Sequence, residues 1–342
     1  MTETPVRVGV LGGADIARRR VLPAMAGCPQ VDVVAVASRD DGRAAELALA
    51  FGGRPVHGYD ALLALDEVEA VYVPLPVALH AAWVERALRA GKHVLAEKPL
   101  TADPAATGAL LRLARELGLV LWENVMFVHH LQHGVVRQLV ADGAIGGLRA
   151  FSASFAIPPP PPQNIRYRPE LGGGALLDIG YYPVRAALHF LGTGLRVLGA
   201  ALDRPTAAAV DTAGAALLRS PEGVAVQLTF GMDHAYRSSY ELWGSEGSIR
   251  LDHAFTPAAD HRPELLVVGP HGPRDLVLGA DDQVGNTVRA FAAAVRAGTV
   301  DPATEALCLR QAELLDAIRQ KAEAAHDQGT VNGTAKPTGG FG

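Results

Sequence analysis

The first 125 residues alternate between short apolar runs and segments in which apolar positions recur at helical spacing. The apolar runs are rich in valine, alanine and leucine, and each is followed by a small, polar or proline residue. Strands that alternate with helices through short connections are typical of a parallel, doubly wound sheet. The predicted strands cover residues 6–11, 31–37, 68–73, 94–96 and 120–122.

The pattern changes near residue 148. Residues 148–157 begin a strand, and between residues 195 and 251 the segments alternate around glycine and aspartate turns. This alternation indicates an antiparallel sheet with one packed face and one open face. Helical spacing returns at residues 286–297 and 305–324.

A glycine-rich turn follows the first strand directly. The run Gly12-Gly13-Ala14-Asp15-Ile16-Ala17 places small residues at the positions of the dinucleotide fingerprint, between a strand and a helical segment. Small residues there let the backbone approach a pyrophosphate, which rests on amide groups at the start of the helix. The turn therefore predicts a nucleotide site.

These patterns predict an α/β chain with an N-terminal Rossmann dinucleotide-binding domain and a C-terminal α+β domain that carries a largely antiparallel open sheet. We assign residues 1–125 to the first domain and 126–326 to the second, whose C-terminal helices are expected to pack back on the first. Residues 327–342 are rich in Gly, Thr and Pro and are expected to form a disordered tail.

Composition narrows the class of protein. The 342 residues carry a mild formal net charge of -5 without a dense Lys/Arg block, which argues against nucleic acid or an anionic membrane surface as a partner. No apolar run reaches the roughly 18 residues that span a bilayer. Cys28 and Cys308 lie far apart and show no metal-ligand spacing. We expect a cytoplasmic, reduced protein without a metal.

Polar residues recur where the predicted strands end. Ser38, Pro74, the pair Glu97-Lys98 and the pair Glu123-Asn124 each follow or close an apolar run. The carboxyl ends of parallel strands meet at one edge of the sheet, where ligands bind. Their recurrence predicts an active-site rim rather than a set of surface ion pairs.

The residues after the second strand bear on cofactor choice. An arginine near the ribose suits a 2′-phosphate, so Ser38 and Arg39 favour NADP, with Arg43 one turn further on as a helper. Asp40 and Asp41 leave an alternative open, because a small shift in register would place a carboxylate there and favour NAD.

Several further side chains have two interpretations. His80 is either satisfied by backbone groups at a helix start or faces the cofactor from a strand end. Arg166 and Tyr167 either lie in a solvated loop or are held over a pocket by the prolines 158–162. His129, His130 and His133 have no acidic or cysteine partner at ligand spacing, so we interpret them as structural.

The second half holds a glycine triple that leads into a helix, Gly172 to Gly174. On this helix Asp178 and Tyr182 are four residues apart and therefore share a face. Asp178 could merely pair locally, and an aromatic residue on a helix is more often part of a core than of a catalytic site.

Several segments in one order resemble the Gfo/Idh/MocA family of NAD(P)-dependent oxidoreductases. They are the glycine turn, residues 74–80, the run Gly91-Lys92-His93-Val94-Leu95-Ala96-Glu97-Lys98-Pro99, and residues 172–183. The family's catalytic lysine maps to Lys98, and Tyr182 occupies a position that is histidine in many members and tyrosine in some. Residues 71–76, 123–130, 154–158 and 228–236 are similar to the branch of NADPH-dependent C3-ketoreductases that process dTDP-linked keto-deoxysugars for antibiotic glycosylation.

The resemblance implies NADPH-dependent reduction of the C3 keto group of a sugar of the dTDP-3,4-diketo-2,6-dideoxyglucose type, with Tyr182 protonating the alkoxide and Lys98 stabilising it. Lys98 as the proton donor stays open. It also implies a homodimer or homotetramer formed through the open sheet. The alternatives are a sugar or polyol dehydrogenase of the same family and a protein that senses NADP without catalysis.

The predicted catalytic residues are Lys98, Tyr182 and Asp178. The predicted cofactor contacts are Gly12, Gly13, Ala14, Asp15, Ile16, Ser38, Arg39, Arg43, Pro74, Leu75, His80, Glu97, Lys98 and Asn124. The predicted substrate contacts are Lys98, Arg166, Tyr167, Asp178 and Tyr182.

Overall fold

The computed structural model describes residues 4–205 and 209–332, which form two sheets and their covering helices. The strands are β1 (Val6–Leu11), β2 (Val31–Ser38), β3 (Arg54–His57), β4 (Ala70–Val73), β5 (His93–Glu97), β6 (Leu121–Asn124), β7 (Leu148–Ala156), β8 (Arg196–Asp203), β9 (Ala213–Arg219), β10 (Ala225–Gly231), β11 (Arg237–Gly244), β12 (Ser248–Asp252), β13 (Glu264–Gly269) and β14 (Gly272–Val277).

The helices are α1 (Leu22–Ala26), α2 (Asp41–Phe51), α3 (Tyr59–Leu63), α4 (Val77–Arg89), α5 (Pro104–Glu116), α6 (Leu131–Ala141), α7 (Tyr181–Leu191), α8 (Gln283–Ala297) and α9 (Pro302–Asn332). Two π-helical turns, Ala17–Val21 and Leu176–Gly180, lead directly into α1 and α7. Short 3₁₀ turns occupy Met126–His129, Ile165–Tyr167 and Pro169–Leu171.

The first sheet is parallel throughout, with strand order β3-β2-β1-β4-β5-β6. Helices cover both of its faces, which explains why its central strands are continuous apolar runs: every residue of β4 is buried. The chain reverses its direction of sheet building between β1 and β4. In a doubly wound sheet this is the point where a crevice opens at the carboxyl ends of the strands.

The second sheet has the order β14-β13-β12-β11-β7-β10-β9-β8 and is antiparallel except where β7 pairs with β10. Its packed face rests on α7 and carries alternate residues of each strand, such as Phe151 and Phe155 of β7. The predicted fold class, a Rossmann domain followed by an α+β domain with a largely antiparallel open sheet, is confirmed.

The last two helices return to the first half of the chain. Val288 and Phe291 of α8 are buried in the same cluster as Val8 and Val10 of β1. On α9, Cys308 packs against the first domain, while Ile318 belongs to the core of the second sheet. Across the described ranges, no helix combines the length and apolar character needed to cross a bilayer.

Some elements differ from the sequence prediction. The short edge strand β3, the hairpin β13–β14 and helix α6 were missed, since β3 and β14 are mostly exposed and lack an apolar run. Helices α8 and α9 begin three residues earlier than predicted, after the cap Asp282 and at Pro302. Helix α9 also continues six residues past the predicted start of the tail, and residues 333–342 lie outside the described residues.

The histidine cluster packs into the second domain. His133 is fully buried, and its Nδ1 lies 2.9 Å from the Tyr240 hydroxyl. His129 stacks on Trp122, and the His189 ring lies 6.0 Å from that of His133. Burial, with Arg185 nearby, lowers the pKa of His129 to about 4. Burial, with Arg137 nearby, also lowers the pKa of His189 to about 4.

This cluster predicts acid sensitivity. A histidine in the unfolded chain has a pKa of about 6.5, so below that pH the unfolded state binds more protons than the folded state. The free energy of unfolding should therefore be highest above this pH and fall by up to about 1.4 kcal/mol per pH unit for each histidine as the pH drops towards the folded-state pKa. Urea unfolding across this pH range measures the slope. His189→Gln should flatten it, whereas His271→Gln at an exposed turn should leave it unchanged; equal slopes in all three proteins would contradict the argument.

Candidate active site

The predicted rim residues meet at the carboxyl edge of the first sheet. Strands β1, β4, β5 and β6 are neighbours in that order; Gly12, Pro74 and Lys98 directly follow the first three, and Asn124 ends the fourth. Lys98, Asn124 and Tyr182 line a small cavity of about 40 Å³ together with Ile16. The structure thus brings the glycine turn and the candidate catalytic residues to one place.

The glycine turn has the backbone that its sequence predicts. Gly12 has a φ of +100°, and a Cβ there would lie 3.0 Å from Leu75 Cδ2, so a larger residue would be strained. The Gly12 N–H donates to Ala37 O, and helical geometry begins at Asp15. The first amide groups of a helix have no acceptor within it, so a helix start can bind an anion.

The partners of Asp40 and Asp41 in the loop after β2 bear on the choice between NADP and NAD. Asp40 caps α2 by accepting a hydrogen bond from the Arg43 N–H, and Asp41 Oδ1 lies 2.5 Å from His57 Nδ1. Both carboxylates therefore already have partners, in the cap of α2 and in His57. The Ser38 hydroxyl accepts a hydrogen bond from the Asp40 N–H at 3.1 Å.

Two arginines border the same loop. The Arg43 side chain lies against the glycine turn, with Nε 3.1 Å from where a Cβ of Gly13 would be. Nearby ion pairs in the described part of the chain are Arg18–Asp15, Arg19–Asp15 and His57–Asp41. The guanidinium groups of Arg39 and Arg43 thus remain available to an anion.

Lys98 lies at the centre of a partly buried charge cluster. Its Nζ donates to Asp178 Oδ1 at 2.6 Å and to the Asp178 carbonyl at 2.8 Å. Arg166 Nε donates to the other carboxylate oxygen at 2.5 Å. Asp178 therefore joins the end of β5 to the loop and helix of the second half.

Each charge in this cluster stabilises another. Burial alone would raise the pKa of Asp178, but Lys98 and Arg166 hold it well below its usual range. Burial alone would lower the pKa of Lys98, but the Asp178 carboxylate raises it above the ordinary value. At neutral pH the lysine is therefore an ammonium and the aspartate a carboxylate.

Tyr182 lies on the other side of the ammonium group. Lys98 Nζ is 4.8 Å from the centre of its ring, which packs edge-on against Phe155. Burial raises the pKa of Tyr182, although Lys98 counteracts this. The phenol is protonated at neutral pH and lies beside a cation that favours its deprotonated form.

Glu97 and His80 are buried next to the site and contact the strand ends and turns that form it. Glu97 Oε1 accepts hydrogen bonds from the Tyr72 hydroxyl at 2.6 Å and from Asn124 Nδ2 at 2.7 Å, so it links three adjacent strands. Burial raises the pKa of Glu97. The two His80 ring nitrogens lie 2.7 Å from Leu75 O and 2.9 Å from Pro99 O.

The position of His80 corrects one prediction. The side chain is 1% exposed, and both ring nitrogens face backbone carbonyls, so no polar atom is left for a cofactor. Of the two interpretations, the structure supports the one in which His80 contacts backbone groups. The Tyr167 hydroxyl lies 3.5 Å from Pro160 O, within the proline segment that was expected to hold this side chain, and its contact with a substrate stays a prediction.

Six cavity-lining residues were not predicted as site residues from the sequence. They are Arg20, Val125, Met126, Phe255, Thr256 and Gln283. Arg20 Nη2 donates to Thr256 O at 3.4 Å and to Pro257 O at 3.2 Å, which ties the helix after the glycine turn to a loop of the second half. These contacts span more than 200 residues of sequence, and no local motif marks them.

The comparisons with known proteins agree over both halves. Residues 6–125 match the oxidoreductase family GFO/IDH/MocA with its NAD-binding Rossmann fold, and residues 133–250 match the GFO/IDH/MocA C-terminal domain. A dTDP-3,4-didehydro-2,6-dideoxy-alpha-D-glucose 3-reductase of Streptomyces violaceoruber is 55% identical over 94% of this chain and 97% of its own length.

Two further relatives, at 51% and 32% identity, act on different substrates according to their names. A solved 3-ketoreductase from Actinomadura kijaniata, in complex with NADP and TDP-benzene, superposes with a TM-score of 0.91 at 51% identity and covers 93% of this chain and 98% of its own. A D-xylose 1-dehydrogenase (NADP(+)) of Haloferax volcanii is 32% identical over 92% of this chain and 97% of its own.

Proposed function

The chain belongs to the GFO/IDH/MocA oxidoreductase family, and we propose that it is an NADPH-dependent 3-ketoreductase acting on a dTDP-linked keto-deoxysugar of the dTDP-3,4-didehydro-2,6-dideoxyglucose type. The observation that carries this function is the cluster of Lys98, Asp178 and Tyr182 at the carboxyl edge of the cofactor-binding sheet. A protein that only senses NADP would have no use for a phenol beside a buried ammonium. The higher identity to 3-reductases than to the D-xylose dehydrogenase favours a dTDP-sugar over a free sugar.

The cofactor site supports NADP. Gly12 to Ile16 supply the turn and helix start for the pyrophosphate, while Ser38, Arg39 and Arg43 border the position of a 2′-phosphate. Since Asp40 and Asp41 are engaged in a helix cap and with His57, no carboxylate there competes with the phosphate. We place Pro74, Leu75, Glu97, Lys98 and Asn124 along the remainder of the cofactor groove.

Bound NADPH supplies the hydride that reduces the C3 carbonyl. Tyr182 donates the proton to the resulting alkoxide, and the Lys98 ammonium stabilises negative charge on the sugar oxygen and then on the phenolate. Lys98 is the poorer donor, because losing its proton would leave Asp178 as a buried carboxylate with one counterion fewer. Asp178 and Arg166 orient the lysine and face the sugar.

The first test is cofactor choice. Arg39→Ala combined with Arg43→Ala should weaken NADPH binding by about tenfold or more, because a hydrogen bond to a charged group contributes roughly 1.5–3 kcal/mol. NADH lacks the 2′-phosphate, so its affinity should hardly change. Fluorescence titrations of both cofactors, with and without dTDP, measure these affinities, and Arg54→Ala at the β3 edge is the control.

The outcomes separate the candidate functions. Tight NADPH binding by the parent protein, strengthened or weakened by dTDP, supports the keto-sugar reductase. NADH preference without any response to dTDP would instead assign the chain to the sugar or polyol dehydrogenases of the family.

The second test concerns the proton donor. Tyr182→Phe keeps the ring packed against Phe155 but removes the phenolic proton, so kcat for the keto-sugar should fall by about 100-fold or more. The dissociation constant of NADPH should stay within about threefold, since a hydroxyl at this place contributes to the reaction rather than to cofactor binding. Steady-state kinetics and the titration measure both; Tyr236→Phe, at an exposed ring, serves as control. Unchanged kcat would remove Tyr182 from the proposed role.

We further propose that the open face of the second sheet joins subunits into a homodimer or homotetramer. The strand register places Leu217, Trp243 and Leu266 on this face, and they are 44%, 64% and 39% exposed. Covering such apolar side chains favours association. Trp243→Glu should lower the molar mass in solution, measured by light scattering, whereas Leu49→Glu on exposed α2 should not; a monomeric parent would contradict the proposal.

We propose that the chain is organised into two domains. We keep residues 1–125 as the cofactor-binding domain and 126–326 as the substrate-binding and oligomerisation domain, with α8 packed on the first sheet. A cytoplasmic location stays a prediction.

A further inference from the structure

A buried carboxylate anchors the turn that carries Lys98. Glu123, the penultimate residue of β6, accepts a hydrogen bond from the Leu100 N–H at 2.8 Å through Oε1. Leu100 is two residues beyond Lys98, and the intervening Pro99 leaves this turn with one N–H fewer to fix it. The position of the lysine backbone therefore depends on where the Glu123 carboxylate is held.

The other oxygen of this carboxylate faces the helix that carries Tyr182. Glu123 Oε2 lies 3.6 Å from Arg185 Nη2, and the two side chains are 4% and 5% exposed. Arg185 is three residues after Tyr182 on α7, so it lies one turn along from the phenol. The pair spans the two domains directly behind the lysine and the tyrosine.

The contact is a charge pair without a short hydrogen bond. Among the described residues, Glu123 Oε2 and Arg185 Nη1 lack a hydrogen bond of good geometry, and the Tyr181 hydroxyl and the Cys308 thiol face the same carboxylate. Two charges removed from water with imperfect satisfaction are a costly way to join two elements, since apolar residues of similar volume often do so at no cost. Stability alone therefore gives little reason for this pair.

We propose that Glu123 and Arg185 are positioning residues, which together set where Lys98 stands relative to Tyr182. The inference rests on the proposed reductase function. Glu123 fixes the turn after β5, and Arg185 fixes the first turns of α7. The attraction between these two side chains sets the distance between that turn and that helix. The distance that depends on this pair is the 4.8 Å between Lys98 Nζ and the centre of the Tyr182 ring.

The test separates positioning from stability with three variants: Glu123→Gln, Arg185→Met and the double variant. Glutamine keeps an oxygen for the Leu100 N–H, so the turn retains its acceptor. Each single variant leaves one buried charge unpaired and should unfold at lower urea concentration, whereas the double variant leaves none and should recover. If the pair positions the reacting groups, kcat stays low in the double variant by about tenfold to 100-fold, because small misplacements at a reacting centre have effects of this size.

A second readout needs no substrate. Lys98 favours the ionised form of Tyr182, so moving the ammonium away should raise the pH at which this phenol ionises. Ultraviolet difference titration of the double variant against the same protein carrying Tyr182→Phe isolates this one tyrosine. The dissociation constant of NADPH should remain within about threefold, because the pair lies behind the reacting groups rather than on the cofactor.

The control is a more exposed ion pair that also links the two halves. Arg115 Nε lies 3.3 Å from Glu305 Oε2, between α5 and α9. Arg115→Met with Glu305→Gln should leave kcat and the phenol titration unchanged. Recovery of both stability and kcat in the Glu123/Arg185 double variant would overturn the proposal, as would loss of NADPH binding there. Failure of the parent protein to reduce a dTDP-linked keto-sugar would instead count against the proposed function, and the phenol titration would still test the pair.

Discussion

The partly buried pair of Lys98 and Asp178 is the interaction on which the site depends. A carboxylate in this position would be expensive alone, and so would an ammonium, yet Asp178 accepts from both Lys98 and Arg166. Because Lys98 directly follows β5 of the first sheet and Asp178 belongs to the second half, satisfying these charges also fixes the two halves against each other. The same contact that stabilises the interface keeps the lysine charged, as its proposed role beside a developing oxyanion requires.

Buried side chains help to fix the turns around this pair. His80 lies between the Leu75 and Pro99 carbonyls, and Glu97 holds Tyr72 and Asn124. Three strand ends are thereby tied to one another beneath the reacting groups. Such an arrangement orients charges before the substrate arrives, so that little reorganisation is needed during the reaction.

The sequence predicted what local patterns control. The parallel strands, the glycine turn and Lys98 at the end of β5 follow from runs of a few residues, and the structure has them. The choice between a free His80 and a backbone-satisfied one required the positions of Leu75 and Pro99, which no spacing contains. Arg20 and Phe255 reach the cavity through contacts between distant segments, and the exposed strand β3 carries no apolar run to reveal it. Long-range packing decided these positions, and propensity alone is a weak guide to it.

The spacing of Asp178 and Tyr182 shows how a correct expectation can have a different physical basis. Two residues four apart on an α-helix share a face. Here, however, Leu176–Gly180 form a π-helical turn, which is wider than an α-helical one. Pro183 follows and has no N–H to donate to a carbonyl of the preceding turn. The Asp178 carbonyl instead accepts from Lys98 Nζ at 2.8 Å. A departure from regular helix geometry thus presents both the carboxylate and the carbonyl of one residue to the lysine, and Tyr182 begins the regular helix beside it.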